Sequence, residues 1–241
     1  MSTNGRKPIE TAHLLIQERF PDCQGAILAG SVIRGEATNT SDLDILIFDN
    51  QLKSSFRESF YFSNWPVELF AHNLVSYKGY FISDYKRARP SLPRMIAEGI
   101  VLKDQGIIQS IKTEANLLLE RGPEAWSQKI IDTKRYFITD ALDDFIGSQN
   151  RAEELFIANT LAELVSEFVL RTNRQWIGTS KWIVRSLKQY DPLFAEKFVY
   201  GFDTYYQNGE KELVIKLVDQ VLEPYGGRFF EGFTIGKDKG E

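Results

Sequence analysis

Cysteine is almost missing from this 241-residue chain: Cys23 stands alone. A single thiol closes no internal disulfide and builds no cysteine-rich zinc site. Histidine is nearly as scarce, with His13 and His72 only, which argues against a histidine-rich metal centre. Nowhere does the sequence approach the run of about 18 apolar residues that a membrane-spanning helix requires. The opening stretch MSTNGRKPIETAHLL has no apolar core of signal-peptide length, so the expected location is cytoplasmic, with no membrane attachment. An excess of positive charge is lacking too. The net charge of −4 supplies no bulk attraction to nucleic acid or to an anionic membrane. No internal repeat or low-complexity tract is visible, and the tail GKDKGE reads as frayed.

What is present is an ordinary globular balance, 43% apolar and 26% charged, over a length suited to one large domain or two modest ones. Residues 8–20, PIETAHLLIQERF, open with a proline fit for a first helical turn and predict a helix. QGAILAG reads as a short buried strand ending at Gly30. Residues 42–48 read as a second strand, covered on both faces from Ile45 to Phe48. RESFYF and VELFAH predict two strands of a hairpin around the turn SNWP. A helix over about 74–88, a proline-bounded short helix and a last strand in GIVLKD complete this part.

Beyond Asp104 the texture becomes helical. Residues 107–121, 123–146, 151–172, 180–189, 192–206 and 210–222 carry helical spacing, punctuated by Gly122-Pro123, Gly147-Ser148, Gly178 and Asp191-Pro192. Strands confined to one part and helices to the other predict an α+β architecture: a mixed sheet flanked by helices over residues 1–104, then an all-α helical bundle over 105–241. The first 104 residues hold 12 basic and 12 acidic side chains, so the surplus of negative charge falls in the helical part.

The densest chemistry lies in LAGSVIRGEATNTSDLDILIF, residues 28–48. Residues i and i+2 of a strand share a face with alpha carbons roughly 6.6 Å apart, so Asp42 and Asp44 project side by side while Leu43 points away. Two ionised carboxylates at that separation need water, a proton or a cation between them. Oxygen ligands of this kind suit Mg²⁺, which keeps company with substrate phosphates. A pair of such ions roughly 3.5–4 Å apart clamps both oxygens of an in-line displacement. Gly30 lets backbone approach a phosphate, and a helix opening after Gly30-Ser31 would offer N–H groups to an anion. The four letters SDLD alone fit equally a turn capping a strand with solvated acids.

The spacing of the two halves carries more. Ala29-Gly30-Ser31, ten residues, then Asp42-Leu43-Asp44 followed by apolar residues resembles the signature of the DNA polymerase beta-like nucleotidyltransferases. The element order, with RMIAEGIVLKD closing the first part and WIGTSKWIVRSL in the second, is similar to the antibiotic nucleotidyltransferases of the kanamycin and lincosamide types. The signature covers only about 20 residues, and the wider likeness is looser. In that family a third carboxylate on a neighbouring strand completes the site, as metal ligand or general base. Glu68 in PVELFAH is the candidate here, because a glutamate among apolar neighbours of a central strand is costly to bury without purpose. An edge strand with Glu68 in solvent is the alternative, and Glu58 is the rival acid.

The resemblance implies a metal-dependent transfer of a nucleoside monophosphate, AMP from ATP or its counterpart from another NTP, to a hydroxyl of a small acceptor. Mg²⁺ or Mn²⁺ would be held by Asp42, Asp44 and Glu68, and the phosphates by Gly30 and Ser31. Arg34 is a further nucleotide-binding candidate, as are Lys181 and Arg185, i and i+4 on one helix face. His72 falls near the site by alternation, although such a histidine more often packs. The acidic helical part suits a cationic, aminoglycoside-like acceptor. Two alternatives stay open: a protein- or RNA-directed transferase, and a catalytically silent nucleotide-binding protein. A companion RNase centre of arginine and histidine is excluded, since no histidine lies beyond residue 104.

Overall fold

The computed structural model describes residues 7–237. Residues 238–241 of the tail lie outside it, so the frayed end expected there is not described. The chain forms two compact units that divide between Gly122 and Pro123. Together they give an α+β protein, with all of the described strands in the first unit.

In the first unit α1 (Pro8–Arg19) precedes β1 (Gly25–Ala29), β2 (Leu43–Phe48), β3 (Phe56–Phe62) and β4 (Trp65–His72). Then come α2 (Ser76–Lys86), α3 (Ser91–Glu98), β5 (Ile100–Asp104) and α4 (Ile108–Arg121). Pro8 sits in the first turn of α1, and the Glu10 carboxylate accepts from the Lys7 N–H at 3.4 Å, fixing the helix start. The sheet runs β3-β4-β2-β1-β5, mixed because β2 and β4 alone are parallel.

Central position explains composition. All five residues of β1 are buried, as are five of six in β2, whereas the edge strands β3 and β5 are largely exposed. Alternation sends side chains to two cores. Leu28, Leu43, Ile45, Val67 and Leu69 meet Leu15 and Ile16 of α1 on one face. Ile27, Leu46 and Phe48 meet Tyr77, Ile96, Ile108 and Ile111 on the other.

Three expectations are corrected here. The first unit does not end at Asp104, because α4 buries Ile108, Ile111 and Ala115 in the sheet's second core. The hairpin turn is only Ser63 and Asn64, both with positive φ, and Trp65 and Pro66 already pair with β3. The helix expected from residue 123 starts at Gln128, where the Ser127 hydroxyl accepts from the Ile130 N–H.

The second unit contains α5 (Gln128–Gly147), α6 (Arg151–Thr172), α7 (Lys181–Tyr190), α8 (Pro192–Asn208), α9 (Glu212–Leu222) and one 3₁₀ turn. Its core holds Ile138, Leu142, Phe145, Leu161, Phe168, Phe202 and Tyr205. Glu154 of α6 binds Lys211 at 2.8 Å and accepts from the Tyr205 hydroxyl at 3.4 Å, joining three stretches of the unit. Residues after α9 return to α5, where Arg135 donates to the Gly227 carbonyl at 2.9 Å and Phe233 stacks on Tyr136 at 3.8 Å. Among the described residues, no helix is long and apolar enough to cross a membrane.

His72 closes β4 in an apolar setting, 3% exposed, its ring 4.9 Å from Tyr80 and 6.2 Å from Phe48. Burial pushes its pKa down from 6.5 to about 4. The folded state thus holds His72 neutral. This contribution is complete above the unfolded value of 6.5 and is lost as pH falls toward 4. Relative to wild type, His72→Phe should gain about 2 kcal/mol of stability between pH 7.5 and pH 5, read from denaturant midpoints. A difference that does not change with pH would mean that the imidazole titrates normally.

Candidate active site

Backbone pairing brings three acids together. Asp44 lies opposite Ala29 on β1 and opposite Glu68 on β4, so one cross-sheet row holds Ala29, Asp44 and Glu68. Asp42 stands one position before β2, two residues from Asp44. The second strand therefore starts at Leu43, later than its first aspartate. Each of Asp42, Asp44 and Glu68 offers a carboxylate oxygen within 4.8 Å of the others, and each is half-buried. Because β4 lies between β3 and β2, Glu68 is on an internal strand, and the edge-strand alternative falls. Glu58 pairs with Leu69, which faces the α1 side of the sheet, so the rival acid is on the wrong face.

Gly30 closes the back of this group. Its φ of +85° belongs to the left-handed region, and a Cβ placed there would sit 1.9 Å from Asp44 Oδ2. Only a residue without a side chain lets the chain pass against that carboxylate. Burial is the main force that pushes the Asp44 carboxyl up to about 6, with the charges of Asp42 and Glu68 acting in the same direction. Arg34 and Arg57 oppose them.

The segment after Gly30 departs from expectation. Residues 31–35 form consecutive turns and no helix, with the Glu36 N–H bound to the Ser31 carbonyl at 3.0 Å. Val32 and Ile33 are drawn toward the α1-side core, and Gly35 takes a φ of +71° that ends any helical path. The Ser31 hydroxyl donates to Ser41 Oγ at 3.1 Å, and that oxygen accepts from the Thr38 N–H at 2.8 Å. These bonds tie the two ends of the loop that joins Gly30 to Asp42.

Arg34 binds Glu36 at 3.2 Å and Glu98 at 3.4 Å, so salt bridges hold it near the loop. His72 pairs with Phe48, four residues along β4 from Glu68, which is roughly 13 Å at strand rise. Its ring packs against Phe48 and Tyr80. Lys181 and Arg185 begin and continue α7 in the second unit, where the Arg185 guanidinium lies 5.1 Å from the centre of the Trp182 ring. Their role in nucleotide binding rests on the sequence expectation alone.

One residue was not anticipated. Arg57 on β3 donates to Glu68 Oε1 at 2.6 Å and rests 5.0 Å over the Phe70 ring. Its directly opposed partner is Phe70, so Glu68 is a diagonal neighbour. The signal was available in the hairpin: a two-residue turn at Ser63 and Asn64 sets this register.

The donor set fits a hard divalent cation: three carboxylates converge, and the backbone behind one of them is stripped to glycine. No family model matches the sequence. No curated protein matches it either. Among solved structures it is similar to a nucleotidyltransferase-like protein from Exiguobacterium sibiricum, at 11% identity and a TM-score of 0.47, over 90% of this chain and 75% of that one. With so few identities, function has to be read from the residues themselves.

Proposed function

We propose that this protein is a metal-dependent nucleotidyltransferase that moves a nucleoside monophosphate, AMP from ATP, to a hydroxyl of a small acceptor and releases pyrophosphate. The observation that carries the reading is the convergence of Asp42, Asp44 and Glu68 across two parallel strands, with Gly30 backed against Asp44. It is supported by the resemblance of Gly30-Ser31 and Asp42-Leu43-Asp44 to the polymerase beta-like signature.

Asp42, Asp44 and Glu68 hold Mg²⁺ or Mn²⁺, Glu68 serving as a third ligand. An ion held there would supply the charge neutralisation that phosphoryl-type transfer requires. Backbone N–H groups of the Gly30–Ser31 turn would meet the triphosphate, and Arg34 would add a positive charge there. The half-buried position of the three carboxylates limits contact with bulk water, so their interaction with a cation would be screened less than at an open surface. An acidic surplus in the helical part favours a cationic acceptor of aminoglycoside type.

The test is transfer of label from α-labelled ATP with Mg²⁺ to pooled aminoglycosides and lincosamides. Label on a small molecule is the expected result. Label appearing on protein or RNA in a lysate would instead select the macromolecule-directed alternative. A protein that neither binds Mg-ATP nor moves label would end the reading.

A further inference from the structure

Three carboxylates gathered within a few ångströms repel one another, and the fold has to offset that repulsion whenever no divalent ion is bound. Arg57 is placed to do so. Its Nη2 lies 2.6 Å from Glu68 Oε1, within charge-assisted hydrogen-bond distance, and the Phe70 ring beneath it holds the guanidinium at that height. It stands on the edge strand β3, with its side chain 59% exposed while Glu68 is 29% exposed. The arginine can therefore leave toward water without unpacking a core, whereas the glutamate cannot move with it. Arg34 has other anchors in Glu36 and Glu98.

We propose that Arg57 is the resident counter-cation of the carboxylate group and sets its affinity for divalent ions. It neutralises Glu68 in the metal-free protein and repels an incoming ion that needs the same carboxylate. This inference rests on the metal-site reading above. A unit charge held about 5 Å from a divalent ion in water weakens binding by roughly tenfold. Arg57 is thus a positioning residue: it acts through Glu68 and stays on the protein when the ion arrives.

The probe is Mn²⁺, titrated into metal-stripped protein while the electron paramagnetic resonance of the free ion is followed. Arg57→Met, which keeps an unbranched apolar stem on β3 but not the charge, should bind Mn²⁺ about tenfold more tightly than wild type. In EDTA the same variant should melt about 2–4 °C lower, because the acids have lost their counter-charge. Arg57→Lys should restore most of the wild-type affinity. Equal or weaker Mn²⁺ binding by Arg57→Met overturns the inference and leaves the metal site standing. Wild type that takes up no Mn²⁺, or uptake that persists in Asp44→Asn, overturns the metal-site reading and the inference with it.

Discussion

Asp44→Asn should abolish nucleotide transfer and, in protein stripped of metal, raise stability at pH 8. The loss of turnover is expected to be on the order of 10³-fold, the scale on which a single preorganised electrostatic group acts. The gain in stability follows from the same charge. Asp44 is half-buried beside Asp42 and Glu68, and its carboxyl is pushed up from 3.8 to about 6. A carboxyl that holds its proton more tightly folded than unfolded stabilises the fold at low pH. That contribution fades as pH rises from the unfolded value toward the folded one, and the full cost of the buried charge is present above pH 6. An isosteric amide removes the cost. Asn should therefore exceed wild type by about 2 kcal/mol at pH 8 in EDTA and lie close to it at pH 4. Saturating Mn²⁺ should reverse the order at pH 8, since only the wild type gains from binding. Denaturant unfolding at two pH values, with and without the ion, reads all four corners. A variant less stable than wild type in every corner would mean that Asp44 is a structural hydrogen-bonding residue and not a ligand. The opposite sign expected for His72 makes the two titrations separable in one series of melts.

That result would tie function to a local violation of good folding practice. An apolar sheet places Leu43, Ile45 and Ile47 on one face, yet the other face, which carries Leu46 and Phe48, also receives Asp44. Nothing in the first unit's packing requires a charge there. The acids are concentrated at one end of β2 and β4, while the other end, Phe48 and His72, closes in aromatic contacts. Aromatic packing closes one end of the strands, and the three carboxylates converge at the other.

Much of this was legible in advance because its signals are local. The proline in the first turn of α1, the continuous apolar run of β2, the alternation in VELFAH and the two carboxylates flanking Leu43 each report on their own neighbourhood. Pairing is not local. The hairpin predicts that β3 and β4 are adjacent, but no periodicity says that β4 also lies parallel to β2, the step that sets Glu68 opposite Asp44. The boundary drawn at Asp104 failed for a related reason. Helical spacing in α4 shows that Ile108, Ile111 and Ala115 share a face but not which core that face serves, and they join Ile27 and Phe48. The loop between Ser31 and Asp42 has no periodicity at all. Its turns are held by Ser31, Thr38 and Ser41, whose hydroxyl bonds bridge up to ten residues of sequence. Arg57 was missed because an exposed arginine on an edge strand looks like any other until the register sets it diagonal to Glu68.

Gly30→Ala should be strongly destabilising. Two costs coincide at this position. Alanine is strained at a φ of +85°, and its Cβ would come within 1.9 Å of Asp44 Oδ2 and 2.8 Å of Cγ. Together these should lower stability by about 2–4 kcal/mol. The carboxylate is the softer partner, so Asp44 is expected to turn away and Mn²⁺ binding to weaken along with transfer. Shortening the neighbour separates the two costs. In the background Asp44→Ala, which has no carboxylate to strike and keeps only a Cβ at 3.2 Å, Gly30→Ala should cost mainly the backbone strain of about 1–2 kcal/mol. A coupling of roughly 1–2 kcal/mol in the double-mutant cycle is therefore expected from denaturant unfolding. Additive effects would show that glycine is required at position 30 by the turn alone. Coupling shows that the side chain missing at Gly30 leaves the space that the Asp44 carboxylate occupies.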